Sequence, residues 1–147
     1  MITVVEIEAS ELPRFVAVHN AAEPDDPATP AEFEDWRRQA GDMGWLLATD
    51  DGVDVGAGIG IIGWHSKPGS ARVKAWTAPG ARGRGVGQAL YAELLRWAAE
   101  RGSIEVQTSV AEDDPASLEW ADKRGFREIG RELRVTLDLT SVVPPEI

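Results

Sequence analysis

Arg82-Gly83-Arg84-Gly85-Val86-Gly87 decides how this chain is read, because it has the makeup of a phosphate cradle. Glycines let backbone N–H groups come close to an anion, and the following Gln88-Ala89-Leu90-Tyr91-Ala92-Glu93-Leu94-Leu95 reads as a helix. A helix N-terminus adds its partial positive charge and its unpaired N–H groups to the two arginines. The charge distribution points the same way. The chain carries a net charge of −10, yet residues 55–92 hold no Asp or Glu and five basic residues, Lys67, Arg72, Lys74, Arg82 and Arg84. An acidic chain that keeps one segment purely basic is suited to bind an anion there.

Outward from the loop, strand and helix signals alternate. Ile2–Ile7 reads as a first strand, and Ser10 caps a helix to Asn20 with Leu12, Phe15, Val16 and His19 near one face. The loop Glu23-Pro24-Asp25-Asp26-Pro27 is acidic and stiffened by proline. Thr29-Pro30-Ala31-Glu32 predicts a helix start, with Thr as N-cap, Pro in the first turn and Glu positioned for a capping box; that helix runs to Gln39. Gly44–Thr49 and Val53–Trp64 read as strands around an Asp50-Asp51-Gly52 turn, and Ala71–Ala78 as another after Lys67-Pro68-Gly69. The helix behind the glycine loop ends at Gly102, where a glycine C-cap fits. Ile104–Val110 alternates as a strand, Asp114-Pro115 opens a short helix, and Leu133, Val135, Leu137 and Leu139 alternate in the last strand. Gly58-Ile59-Gly60-Ile61-Ile62-Gly63 matches the dinucleotide pattern GxGxxG, but a turn follows it instead of a helix, so it reads as a glycine-containing strand.

Length and composition limit the alternatives. A chain of 147 residues suits one domain, and 43% hydrophobic content with six tryptophans suits a packed core. The lack of cysteine excludes disulfides, thiol catalysis and cysteine-based metal sites, and His19 and His65 have no ligand spacing, so no metal is expected. No basic start with an apolar run marks a signal peptide, and no apolar stretch is long enough to span a bilayer, so the expected location is the cytoplasm. A pI near 4.6 disfavours nucleic acid and anionic membrane as partners and suits a cationic substrate.

Pro79-Gly80-Ala81-Arg82-Gly83-Arg84-Gly85-Val86-Gly87 resembles the acyl-CoA pyrophosphate loop of the GCN5-related N-acetyltransferase (GNAT) family, whose pattern Arg/Gln-x-x-Gly-x-Gly/Ala falls on Arg82, Gly85 and Gly87. Asp114-Pro115-Ala116-Ser117-Leu118-Glu119-Trp120-Ala121-Asp122-Lys123-Arg124-Gly125-Phe126 resembles the family's late helix and its Gly-Phe end. The resemblance implies an α/β (α+β) fold: a single mixed, mostly antiparallel central sheet of six to seven strands flanked by about four helices. It implies a domain over residues 1–140, followed by a linker-like tail at 141–147. Its Pro-Pro suits a second domain of the same kind or a homodimer partner.

The implied activity is transfer of an acetyl group from acetyl-CoA to a primary amine of a small molecule or peptide. The alternative is a non-catalytic, regulatory domain that binds acyl-CoA. The resemblance assigns the donor to Arg82, Gly83, Arg84, Gly85, Val86, Gly87 and Gln88, with Asp114 and Ser117 from the late helix. Its pantetheine arm pairs with the edge where the fourth and fifth strands splay. A backbone N–H at Thr77 or Ala78 would polarise the carbonyl. The fourth strand offers no carboxylate as base, which leaves Glu105, His19 or Glu23 as candidates, or a chain of waters. Glu23, Asp25 and Asp26, with His19, form the expected acceptor entrance. The family's general-acid tyrosine falls on Ala121, so Ser117 or water is left to protonate the thiolate, and Tyr91, the single tyrosine, reads as packing.

Overall fold

The computed structural model describes residues 1–63, 67–110 and 115–128. They divide into two compact units, Met1–Ser109 and the part from Val110 onward. The first unit holds strands β1 (Ile2–Ile7), β2 (Asp42–Asp50), β3 (Val53–Ile62), β4 (Ser70–Thr77) and β5 (Glu105–Gln107), with helices α1 (Leu12–Ala22), α2 (Pro30–Gln39) and α3 (Val86–Glu100). Sheet order is β1-β2-β3-β4-β5; the first three pairings are antiparallel, and β4–β5 is parallel. The described residues therefore form a mixed, mostly antiparallel sheet of five strands, where six to seven were expected. The strand expected at 133–139 lies outside the described residues, as does the tail 141–147.

Local chemistry accounts for most boundaries. Thr29 caps α2 as its sequence requires: its Oγ1 accepts from the Glu32 N–H at 3.2 Å, and Pro30 occupies the first turn. Ser10 is not a cap. It lies in a 3₁₀ turn at Ala9–Glu11, and α1 starts behind it with Pro13 in its first turn. Asn20, near the end of α1, takes both backbone groups of Ala28, donating to its carbonyl at 2.9 Å and accepting from its N–H at 2.8 Å. That pair of hydrogen bonds closes the acidic loop.

The two faces of the sheet are built differently. α1 and α2 cover one face through Phe15, Phe33, Trp45, Leu47 and Ile59, where Phe15 meets Phe33 edge-on at 5.1 Å between ring centres. α3 covers the other with Val86, Leu90, Leu94 and Trp97, spaced so that all four share one side of the helix. Opposite them the sheet presents glycine. A Cβ on Gly56 would stand 2.5 Å from Val86 and 2.8 Å from Leu90; on Gly60 it would stand 2.6 Å from the Trp97 ring, and on Gly44 it would strike the same indole. Gly58 and Gly60 of the GxGxxG look-alike thus belong to the bare strip on which α3 lies, whereas Gly63 stands against Gly41. Each Leu buried there contributes about 1.5–3 kcal/mol.

The described part of the second unit holds α4, Pro115–Lys123. Its end folds back on itself. Trp120 and Phe126 stack at 6.0 Å between ring centres, Arg124 lies 4.4 Å over the Trp120 ring, and the Phe126 N–H donates to the Ala121 carbonyl.

Candidate acyl-donor site

β4 feeds directly into the glycine loop through a 3₁₀ turn at Pro79–Ala81. Gly83 and Gly85 both adopt φ near +81°, a left-handed backbone that side-chain-bearing residues rarely adopt, and a Cβ at either would meet nothing within 4 Å. Gly85 is the N-cap of α3, whose first internal bond runs from the Ala89 N–H to the Gly85 carbonyl. The N–H groups of Val86, Gly87 and Gln88 precede that bond, so helix geometry leaves them facing outward at the positive end of the dipole. Open space, three N–H donors and exposed Arg82 together fit an anion with several oxygens.

The two arginines differ. Arg84 is braced: it ion-pairs with Asp50 at 3.3 Å and donates to the Gly80 carbonyl at 3.0 Å. Arg82 makes no ion pair among the described residues. Arg82 is therefore the arginine available to a ligand, while Arg84 holds the loop to the β2 end.

The sheet opens beside this loop. β4 and β5 pair only through Ser70↔Glu105, Ala71↔Val106 and Arg72↔Gln107, and beyond Arg72 the ladder stops. Two side chains cross the gap that follows. Tyr91 of α3 hydrogen-bonds Thr108 at 2.9 Å on one face, and Lys74 donates to the Ser109 carbonyl at 2.5 Å on the other. Burial pushes the Tyr91 phenol above its ordinary pKa, against the opposing pull of bonds to Thr108 and the Ala75 backbone. The phenol thus stays protonated.

The remaining expected residues are spread out. Ala78 donates its N–H to the Val55 carbonyl at 2.9 Å, which occupies it on the β3 side. Thr77 carries its Oγ1 3.8 Å from where a Gly87 Cβ would stand, at the loop end of the gap. Glu105 sits on the first β4–β5 rung, ion-paired to Lys67 at 3.0 Å. That rung is about 23 Å along β4 from Thr77 at 3.3 Å per residue. His19 is buried, packed edge-on against Trp76 at 4.7 Å and bonded to the Asn20 side chain at 2.8 Å, so it belongs to the aromatic core. Asp25 and Asp26 are exposed on the loop that Asn20 closes, and Glu23 is half-buried there. Asp114 and the Ser117 side chain lie outside the described residues. The sequence reading missed the Tyr91–Thr108 and Lys74–Ser109 ties. Alternation along β4 and β5 was the available signal: it puts Val106 and Thr108 on the α3 face and Lys74 on the opposite one.

The family model for the acetyltransferase (GNAT) family matches residues 3–126. The chain belongs to this family. Its members are generally acetyl-CoA-dependent N-acetyltransferases. No curated protein matches the sequence. Among solved structures, an acetyltransferase from Trypanosoma brucei is 24% identical with a TM-score of 0.72, covering 93% of this chain and 100% of its own. An aminoglycoside N-acetyltransferase, AAC(6')-Iy in complex with CoA, is 19% identical with a TM-score of 0.75 over 93% and 95% of the two chains. The ribosomal-protein-S18-alanine N-acetyltransferase from Escherichia coli is 20% identical with a TM-score of 0.74 over 88% and 80%. At these identities the likeness establishes the GNAT fold.

Proposed function

We propose that this protein transfers an acetyl group from acetyl-CoA to a primary amine. The observation that carries the reading is the junction of two features: a loop of outward N–H groups with an exposed Arg82 that makes no ion pair among the described residues, and an unpaired stretch of β4 that begins beside it. The loop would hold the pyrophosphate, through Arg82 and the N–H groups of Val86, Gly87 and Gln88. The unpaired edge would hold the pantetheine arm by main-chain bonds, as the CoA complex of the aminoglycoside enzyme makes chemically reasonable for a shared fold. Thr77 is the better candidate to polarise the thioester carbonyl, since the Ala78 N–H is already bonded to Val55. Glu105, held by Lys67 at the paired end, is left out of the role of base, and Glu23 or water takes it.

A second reading is a domain that binds acyl-CoA without turnover, and Ala121 favours it. The resemblance puts the general acid there, and a methyl group donates no proton. One experiment separates the two: incubation of acetyl-CoA with a panel of amines, following free thiol, beside calorimetry with CoA. Thiol release that requires an amine supports the transferase. CoA binding without release supports the binding domain, and absence of both overturns the donor site. In an active protein, Ala121→Tyr should raise turnover by about tenfold if thiolate departure limits the rate.

A further inference from the structure

The gap between β4 and β5 has a closed end, and one side chain forms it. We infer that Tyr91 is the floor of the acyl-donor slot and limits the length of acyl group that the site accepts; this rests on the donor reading proposed above. The last rung of the β4–β5 ladder is Arg72↔Gln107, and Thr108, the next residue of the chain, hydrogen-bonds the Tyr91 hydroxyl at 2.9 Å. The same hydroxyl meets the backbone of Ala75 on β4. The phenol therefore spans the gap beyond the ladder, one residue past Gln107 on one wall and three past Arg72 on the other. Its ring packs with Ala75 and Val106 against the cluster around Leu90. On the opposite face the Lys74–Ser109 bond holds the same two segments together, so the gap does not readily widen to let a chain slip past.

The mouth of this slot is at the other end, where Thr77 lies beside Gly87. A donor arm anchored at the loop and laid along β4 covers about 7 Å from Thr77 to Ala75, at 3.3 Å per residue, before it meets the ring. With the thioester carbonyl near Thr77, the acyl group is the part that runs toward Tyr91. A two-carbon acyl group needs little space there; a longer one must displace a half-buried ring held by bonds to both strands.

Calorimetry with CoA, acetyl-CoA, butyryl-CoA and hexanoyl-CoA tests this without knowledge of the acceptor. The parent should bind acetyl-CoA more tightly than the longer donors. Tyr91→Ala should shift the ratio of butyryl-CoA to acetyl-CoA affinity by about tenfold toward butyryl, the size expected when two methylenes enter vacated apolar space. Tyr91→Phe keeps the ring and should keep the parent's order of preference. Tyr91→Leu, a milder truncation, should shift the ratio in the same direction as Ala and serves if Tyr91→Ala does not fold. Free CoA should bind all four proteins alike. The inference is overturned if Ala and Leu keep the parent's order, or if Phe shifts it as much as Ala does. Failure of the donor reading looks different and would overturn both: the parent would bind no CoA, or would bind it equally well as Arg82→Ala.

Discussion

Along its edge toward β3, β4 is paired rung by rung from Thr77↔Gly56 to Arg72↔Ile61; along its edge toward β5 it is paired only from Ser70 to Arg72. One strand thus has a sealed side and an open side. The sealed side is backed by the helix seated on glycine, with buried Leu90 and Leu94 pressed onto bare backbone. The open side is bridged by two side-chain bonds where a ladder would otherwise continue. Closure comes from close packing of α3 on glycine, and the open side comes from a ladder that stops at Arg72, with side-chain bonds from Tyr91 and Lys74 in its place.

Breaking the sealed side should have the largest effect. Gly60→Val puts branched carbon into the Trp97 ring and is expected to cost about 3 kcal/mol, at the upper end of the overpacking range. For a chain of this size that lowers the melting temperature by roughly 10 °C. Gly58→Ala should cost much less, because its nearest neighbour is the Leu94 Cδ1 at 3.2 Å, which can shift slightly. Equal losses in thermal unfolding for the two variants would contradict the close seating of α3.

The open side is tested through its ligand. Arg82→Ala removes a charge-assisted bond of about 1.5–3 kcal/mol and should weaken CoA binding roughly 10- to 100-fold. Arg84→Ala should stay within about fivefold, since its guanidinium is committed to Asp50 and Gly80 in an exposed setting. Calorimetry that ranks Arg84 above Arg82 would reverse the assignment of the two arginines.

Much of this was legible in the sequence because it is local. The glycine loop, the Thr29 cap and the β1 bounds each depend on residues a few positions apart. The shortness of β5 was not legible, because Ile104–Val110 alternates well beyond Gln107 and only the divergence from β4 ends the pairing. His19 was drawn toward the acceptor entrance by its chemistry, whereas Phe33 and Trp76, distant in sequence, enclose it. The Ala78 N–H faces β3, an orientation set by the Val55 carbonyl more than twenty residues away in sequence. Tyr91 read as packing, and it does pack; its hydroxyl acquires a role only because Thr108 stands opposite.

Two smaller effects sharpen the contrast. The Tyr91 phenol is raised above its ordinary value by burial, so the folded state favours the protonated form. Its stabilisation is complete below about pH 10 and is lost as pH rises through the folded pKa. With one tyrosine in the chain, the near-ultraviolet absorbance of tyrosinate reports this group alone. Its midpoint should lie above that of free tyrosine, and a midpoint at or below it would mean the gap is wet. The smallest change concerns the acidic loop. Glu23→Gln with Asp25→Asn and Asp26→Asn should raise the KM for a cationic amine modestly and flatten its salt dependence, because exposed charges act by screened steering. An unchanged KM for every active amine would remove the loop from acceptor recognition.

The glycine strip also sets a hierarchy of opening. Amides of β3, flanked by strands on both edges and roofed by α3 without intervening side chains, should exchange with deuterium only through global unfolding, whereas those of β5 need only a local fluctuation. Since the donor loop grows out of α3, it is mounted on the slowest-opening part of the molecule while its slot borders the fastest. A bound donor should then slow the exchange of β3 by the factor by which it raises global stability, and slow that of β5 as well where it braces the local fluctuation.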